Sequence, residues 1–284
     1  MANTFITIKE IARQALPRLI ENLVFPNLVH KDFSNDFELG KGATIQVRKP
    51  VILTASEFSG TVAAQDVTEE TVDVTLDKLA TVDVAFGVIE RATNVDDLNR
   101  LFIEPAAVAL AQKINTDGLA LLSQITASAS ADPASLKPYS EAAKVLNKAK
   151  VPLLPRYGVW SPDAEAEFRT VPAIVNAEKS GTTAALRSGS IGQIFGIQNY
   201  MAQGVASSML GCVFHPYAFA FVTRPLVQPS GVESYTTSYN GITLRVTKGY
   251  DMKTKTEMLS MDVLYGYKTL DKQLAVKVTA ASGT

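Results

Sequence analysis

Two neighbouring segments of this sequence alternate strictly between polar and apolar residues, and this pattern is the feature that most constrains the fold. They span residues 71–77 and 81–86 and are rich in valine and threonine. A period of two in β-branched residues predicts half-exposed strands rather than helices. The polar run 63–70 separates these segments from an earlier strand-like stretch, 44–53. The pattern predicts a long two-stranded hairpin, which is marginal alone and needs a contact elsewhere.

The segment before the hairpin has the periodicity of an amphipathic helix. Residues 8–28 carry an apolar stripe, with Pro17 predicted to interrupt the helix and Pro26 to end it. A short helix of this kind is stable only when its stripe is covered, either by its own domain or by another subunit. Both alternatives stay open, and we predict the contact with another subunit, through Ile11, Leu16, Leu19 and Leu23.

A longer helix is predicted after the hairpin, over residues 93–122. Thr93 or Asn94 can cap it, and Pro105 suits the first turn of a restarted helix. One apolar stripe runs along it, so it must back a sheet or another subunit; the stripe consists of Ala107, Leu110, Ala111, Ile114, Gly118, Leu121 and Leu122.

The remaining sequence alternates between helical and strand-like segments. We predict a linker at 123–138, helices at 139–150, 162–170 and 217–222, and a flexible, glycine- and serine-rich loop at 176–190. Strands are predicted at 157–161, 194–201, 212–214, 241–246, 257–264 and 274–278.

Composition and charge exclude several classes of protein. The 284 residues are 46% hydrophobic and 19% charged with a net charge of -1, which excludes extensive disorder and gives no long-range attraction to nucleic acids or acidic membranes. The single cysteine, Cys212, excludes an internal disulfide framework and a zinc site built on cysteines. No window approaches the ~20 apolar residues of a membrane helix, so no membrane partner is expected.

No arrangement of residues predicts catalysis, a cofactor or a metal site. The glycines 189, 192 and 196 lack the Lys-Ser/Thr ending of a phosphate-binding loop and precede a strand, which favours a turn. His215 has no partner in the sequence, and a structural role is the better interpretation for it and for Cys212. Asp73, Asp77 and Asp83 lie on alternating strands, where carboxylates usually form a solvated face.

Acidic residues are concentrated on the predicted hairpin. Between residues 66 and 83 Lys78 is the only base, whereas six acids are present: Asp66, Glu69, Glu70, Asp73, Asp77 and Asp83. We predict that Glu69 and Glu70, with Asp66 and Asp73 as further contacts, meet a basic patch on an adjacent subunit, for which the candidates are Arg13, Arg18, Arg91 and Arg100. The alternative is a solvated edge that merely blocks aggregation.

Four stretches carry a resemblance to a known family. They are VDVAFGVIERATNVDDLNRLFIEPAAVALAQKINTDGLALL (82–122, with the segment Ile114-Asn115-Thr116-Asp117), SGSIGQIFGIQNYMAQG (188–204), CVFHPYAFAFVTRPL (212–226) and YDMKTKTEMLSMDVLYGYKTLDKQLAVKV (250–278). In order and spacing they resemble the major capsid proteins of tailed phages, specifically the coat-protein group of a short-tailed Salmonella phage.

The resemblance implies the α+β Hong Kong 97-type capsid fold. Its parts map onto an N-terminal arm (1–35), an extended loop hairpin (36–90), a peripheral domain with a long spine helix (91–150), an axial domain (151–235) and returning peripheral strands (236–284). No lysine lies between Lys49 and Lys78, which argues against an autocatalytic lysine crosslink at the loop tip.

The function implied is structural rather than enzymatic. Copies of the chain would form hexamers and pentamers of an icosahedral head, assembled in the host cytoplasm and found in the virion. The expected partners are a separate scaffolding protein, a portal, a decoration protein and packaged double-stranded DNA held by weak non-specific contacts. The alternatives are an encapsulin-like compartment and, in another class, a cytoplasmic enzyme using the Gly189 loop and His215.

Overall fold

A computed structural model describes residues 8–31, 44–49, 70–86, 103–175, 191–239, 241–253 and 256–281. Within these ranges the α-helices are α1 (Ile8–Asn22), α2 (Phe25–Leu28), α3 (Glu104–Leu119), α4 (Lys137–Lys148), α5 (Pro162–Phe168) and α6 (Pro172–Val175). Short 3-10 helices follow at Ala120–Gln124, Pro216–Ala218 and Lys272–Leu274.

The strands in the described ranges are β1 (Thr44–Arg48), β2 (Thr71–Thr75), β3 (Lys78–Phe86), β4 (Ser128–Ala131), β5 (Arg156–Trp160), β6 (Gln193–Ile194), β7 (Ile197–Met201), β8 (Gly211–Phe214), β9 (Phe219–Arg224), β10 (Glu233–Tyr239), β11 (Ile242–Asp251), β12 (Thr256–Thr269) and β13 (Ala275–Ala280). They form a six-stranded sheet in the order β4-β13-β8-β5-β7-β6 and a pair, β1-β2. The third sheet has the order β10-β11-β12-β3, and β9 also pairs with β12.

The six-stranded sheet is apolar on both faces, so its central strands lack the polar alternation of a half-exposed strand. Along β8, Cys212 and Phe214 face the larger core, which contains α1, α3 and the five-stranded sheet, whereas Val213 faces α4 and α5. On that second face, Tyr139, Trp160 and Phe168 pack with ring centroids 4.9 Å apart. The sheet therefore separates two cores.

Helix α1 lies on α3 and on strands β10 and β11 of its own chain. Leu16, Leu19 and Leu23 are buried in the larger core and Ile11 packs against it. The apolar stripe is thus buried within its own subunit. This is the first of the two alternatives that the sequence left open. The helix runs through Pro17, and Pro26 lies in the first turn of α2, so neither proline acts as predicted.

The paired strands β1 and β2 form the base of the predicted hairpin, and they lie on the rest of the subunit. Val47, Val74 and Leu76 are buried against Ala220, Val222 and Leu270, which belong to β9 and the end of β12. Strand β3, assigned to the hairpin from the sequence, instead pairs with β12 over nine residues. The contact that the hairpin needs is therefore supplied by β9 and β12.

Several local predictions differ from the structure. Residues 219–224 form strand β9, paired with β12, rather than part of a helix, because one face is buried in the larger core and the other against the hairpin base. The predicted linker 123–138 contains β4, whose small residues pair in parallel with β13. Strand β10 lies in a stretch for which no element was predicted. The capping residues Thr93 and Asn94 and the loop 176–190 lie outside the described residues.

The six-stranded sheet also crosses the domain boundaries predicted from the sequence. Strands β4 and β13 belong to it although they lie outside the range 151–235. Conversely, β9 lies inside that range and pairs with β12 of the five-stranded sheet. The chain therefore passes between the two sheets more often than a linear division suggests.

Gly266 of β12 is the point at which the hairpin base approaches most closely. A Cβ atom here would overlap the carbonyl oxygen of Thr75 at the end of β2. We expect Gly266→Ala to lower the free energy of unfolding by about 1–3 kcal/mol, because backbone must shift to relieve the overlap. Urea denaturation measures the change.

Gly249→Ala in β11 is the matched control, because no atom lies within 4 Å of a Cβ built there and the substitution needs no shift. Equal stability of the two variants would contradict close packing of the hairpin base on β12.

Candidate assembly surfaces

The C-terminal half of α3 joins three parts of the molecule. Asn115 Oδ1 accepts hydrogen bonds from the backbone N–H groups of Val24 (3.1 Å) and Phe25 (3.2 Å), and its Nδ2 donates to the carbonyl of Asn22 (2.9 Å). These groups lie between α1 and α2, where the chain has no helical partner for them. Asn115 therefore fixes the N-terminal segment to α3.

Asp117, half a turn further along α3, fixes the strands. Its carboxylate accepts hydrogen bonds from Tyr265 Oη (2.7 Å) and Lys113 Nζ (3.0 Å), and Lys78 Nζ lies 3.3 Å away. Burial raises the pKa of Asp117, but these donors together lower it more, so the net shift is downward. Because Lys78 begins β3 directly after the hairpin base, Asp117 couples the hairpin to α3 and β12.

Gly118 allows this joint to close. A Cβ atom at this position would overlap the ring of Phe25 and lie 2.9 Å from the ring of Tyr267. The Tyr267 hydroxyl donates to the carbonyl of Ile114 (3.1 Å), and burial raises the pKa of Tyr267 well above its ordinary value. The segment Ile114–Asp117 singled out in the sequence is thus a structural joint.

An exposed apolar surface lies at one end of the six-stranded sheet, and we call it the Leu154 surface. It consists of Leu153, Leu154 and Phe195, which are 68%, 66% and 60% exposed. Two loops contribute these side chains, and the loops lie close together, because Leu154 Cδ2 is 3.8 Å from the position that a Cβ on Gly196 would occupy. Contiguous exposed apolar side chains mark interaction sites more often than isolated ones do.

A buried arginine holds the loop that carries the two leucines. Arg156 is 3% exposed and donates from Nε to the carbonyl of Pro152 (2.9 Å) and from Nη2 to that of Val151 (2.7 Å). In the other loop Phe195 has a φ of 49°, and Gly192 and Gly196 also have positive φ. This geometry confirms a turn at these two glycines of the 189–196 glycine pattern.

Asn199 fixes Gly192, which directly precedes β6 and the turn after it, to the sheet. Its Nδ2 donates to the carbonyl of Gly192 (2.8 Å), and its Oδ1 accepts from Trp160 Nε1 (2.8 Å). The indole is itself buried, so the turn is tied to the core between the sheet and α4. The sequence signal for the Leu154 surface, two leucines between Pro152 and Pro155, was missed in the sequence analysis.

The side chains predicted from the sequence to contact other subunits have different surroundings where the structure describes them. Glu70 Oε2 lies 2.9 Å from Lys49 Nζ, an ion pair that closes the hairpin base, and the hydrogen bond to Lys49 lowers the pKa of Glu70. Asp73 is exposed on β2. Asp66, Glu69, Arg91 and Arg100 lie outside the described residues. Of the other basic candidates, Arg13 is exposed on α1, and Arg18 pairs with Glu21 and Glu104.

The residues considered for chemistry have structural surroundings. Burial raises the pKa of Cys212 to about 12, and burial lowers the pKa of His215, whose Nδ1 accepts from the backbone N–H of Tyr217 (3.4 Å). Asp73, Asp77 and Asp83 are exposed, as expected for a solvated face. Among the described residues no group of three His, Cys, Asp or Glu side chains is placed to hold a metal ion. None of the described helices has the length and apolar character to span a bilayer.

Neither a protein-family model nor a curated protein matches the sequence. Solved structures match nearly the whole chain. A chain of Mycobacterium phage Che8 is 20% identical, with a TM-score of 0.68 over 90% of both chains. The capsid of cyanophage P-SCSP1u is 14% identical, with a TM-score of 0.64 over 92% of this chain and 89% of that one. A virus-like particle from Pyrococcus furiosus is 12% identical, with a TM-score of 0.54 over 95% and 98%.

These matches decide the fold. The chain has the Hong Kong 97-type capsid fold. The α+β architecture implied by the sequence resemblance is therefore confirmed. The narrower resemblance to the coat proteins of a short-tailed Salmonella phage stays a prediction.

In this Hong Kong 97-type chain Asp117 is expected to give part of the stability a defined pH dependence. Because its folded pKa is below the ordinary value of 3.8, it stabilises the fold above that value, and this contribution is lost as the pH falls through the folded pKa. Asp117→Asn should lower the free energy of unfolding by about 1–3 kcal/mol at pH 7, because the carboxylate accepts charge-assisted hydrogen bonds there.

Denaturation of both proteins at a series of pH values checks this. The difference between the parent and Asp117→Asn should shrink on acidification below pH 3.8. The control is Asp73→Asn, which removes an exposed carboxylate. A difference that stays constant with pH would show that the ionised carboxylate is not what stabilises the joint.

Proposed function

We propose that this chain is a structural capsid subunit whose copies form the hexamers and pentamers of an icosahedral head around double-stranded DNA. The observation that carries the proposal is the match to phage capsid structures over about nine-tenths of both chains. Because the match covers nearly the whole chain, the helices and strands that can make contacts between copies are present in this chain as well. On this proposal the role is structural rather than enzymatic.

A second candidate is a protein compartment that encloses cargo proteins rather than a genome. It is favoured by one specific observation, the match to the virus-like particle from Pyrococcus furiosus, which covers 95% of this chain and 98% of that one. Its TM-score of 0.54 is lower than the 0.68 and 0.64 of the two phage structures described above. We therefore place the phage head first.

The partners follow from the proposed head. Copies of the chain are the principal partner, and a separate scaffolding protein, a portal and a decoration protein would complete the particle. The packaged DNA would be held by weak, non-specific contacts, since the chain has a net charge of -1. The subunit would assemble in the host cytoplasm and reside in the virion.

Electron microscopy of the purified protein tests the shell directly. We expect closed particles of icosahedral symmetry when the protein is expressed with the scaffolding protein of the same phage. Nuclease treatment of particles from infected cells then separates the two candidates, because a head protects double-stranded DNA and a cargo compartment does not. If the protein forms only small oligomers, both with the scaffolding protein and in infected cells, the result would contradict both candidate functions.

The acidic hairpin is proposed to contact an adjacent subunit. Residues 50–77 contain six acids and no lysine or arginine. Because Glu70 pairs with Lys49 of the same chain, the charges best suited to an inter-subunit contact are those beyond this ion pair, at Asp66 and Glu69. Exposed pairs contribute only ~0.2–1 kcal/mol each, but a shell repeats them in every subunit.

Reversing these two charges should weaken assembly at low salt. We expect Asp66→Lys with Glu69→Lys to raise the critical concentration for assembly severalfold, and added salt to reduce the difference by screening. Light scattering against protein concentration measures it. The control, Asp163→Lys with Glu167→Lys on α5, makes the same change in net charge at two exposed positions. If both double variants change the critical concentration equally, the hairpin acids form only a solvated edge and make no contact with another subunit.

A further inference from the structure

The Leu154 surface is exposed but held in one conformation. Arg156 fixes the loop that carries Leu153 and Leu154, and Asn199 fixes the start of the β6-β7 hairpin that carries Phe195. Apolar side chains whose backbone is already ordered lose less conformational entropy when a partner covers them. The two loops therefore have the properties of a preorganised binding surface.

Positive charge borders this surface. Lys148 ends α4 and Lys150 follows it with a φ of 57°, and both are exposed within five residues of Leu153. Neither ammonium group has an ion-pair partner among the described residues, whereas Lys144 on the same helix pairs with Glu141 at 2.7 Å. A partner that complements this surface would combine apolar side chains with negative charge.

One segment of this chain has that combination. Residues 50–77 carry a net charge of -6 and include the apolar residues Val51, Ile52, Leu53 and Phe58. Because the whole chain carries -1, the remainder carries +5, so the hairpin and the rest of a second copy are complementary in charge. The exposed carboxylates of Asp73 and Asp77 place part of this charge on described residues.

No described part of the same chain covers the surface. The hairpin base lies on β9 and β12 of the five-stranded sheet, whereas the Leu154 surface lies beside β6 and β7 at the edge of the six-stranded sheet. Leu153, Leu154 and Phe195 keep about two-thirds of their area exposed in the single chain. This exposed area is therefore available to another molecule.

We propose that the Leu154 surface, with Lys148 and Lys150 at its border, receives the acidic hairpin of a second copy of this chain. The inference rests on the proposed function, because a shell is what brings the copies together. It assigns the receiving side of the hairpin contact to the six-stranded sheet and not to the arginines of α1.

Mixed single-cysteine variants test the contact. Glu69→Cys is co-assembled with Lys150→Cys and oxidised with glutathione disulfide, so that a disulfide forms only between copies; the native Cys212 is buried and does not interfere. The control partner is Lys253→Cys, another exposed lysine, at the β11-β12 turn. We expect about tenfold more crosslinked dimer with Lys150→Cys, since contact raises the effective concentration of the thiols.

A charge swap gives a second, independent readout. Lys148→Glu with Lys150→Glu should lower the critical concentration of the Asp66→Lys, Glu69→Lys hairpin variant back toward that of the parent, and Arg13→Glu with Arg18→Glu should not. Crosslinking equal to the control, or rescue only by the arginine pair, would overturn the proposal. If the parent forms no shells under the microscope, the proposed function fails; if it forms shells and either readout is negative, only the assignment of this surface fails.

Discussion

The joint at the C-terminal half of α3 is the interaction on which the rest of the structure depends. Asn115 holds the break between α1 and α2, and Asp117 holds the start of β3 and the middle of β12. Gly118 lets the ring of Phe25 pack between them. Since these contacts lie within four residues of one helix, the N-terminal arm, the hairpin and the five-stranded sheet are positioned relative to a single rigid element.

The hairpin has little core of its own and is held on the subunit by its base. Its base is buried on β9 and β12 by Val47, Val74 and Leu76, and the Lys49–Glu70 ion pair closes its outer end. The remaining residues beyond that ion pair carry unbalanced negative charge. A firmly seated base combined with a charged extension suits a contact whose partner lies outside the subunit.

Local patterns in the sequence predicted much of the fold, and tertiary contacts account for the rest. The stripe of α3, the alternation of β2 and β3 and the turn at Gly196 are properties of neighbouring residues, and each was predicted. Strand β9 was taken for a helix because residues buried on both faces have no periodicity. The apolar stripe of α1 predicted burial but not the partner, since a leucine packs equally well on its own core or another's. The Leu154 surface depends on Arg156 and Asn199, whose hydrogen bonds to distant loops leave no periodic signal.

Strand β3 also determines how the subunit bears mechanical load. It continues directly from the hairpin base and pairs antiparallel with β12 along nine consecutive residues. Hydrogen bonds between strands run perpendicular to them, so tension applied to the hairpin along the strand direction shears the whole ladder at once. A ladder loaded in shear resists far greater force than one unzipped a pair at a time. The hairpin is therefore attached to its subunit as a tether, able to carry force between neighbours without unravelling the sheet.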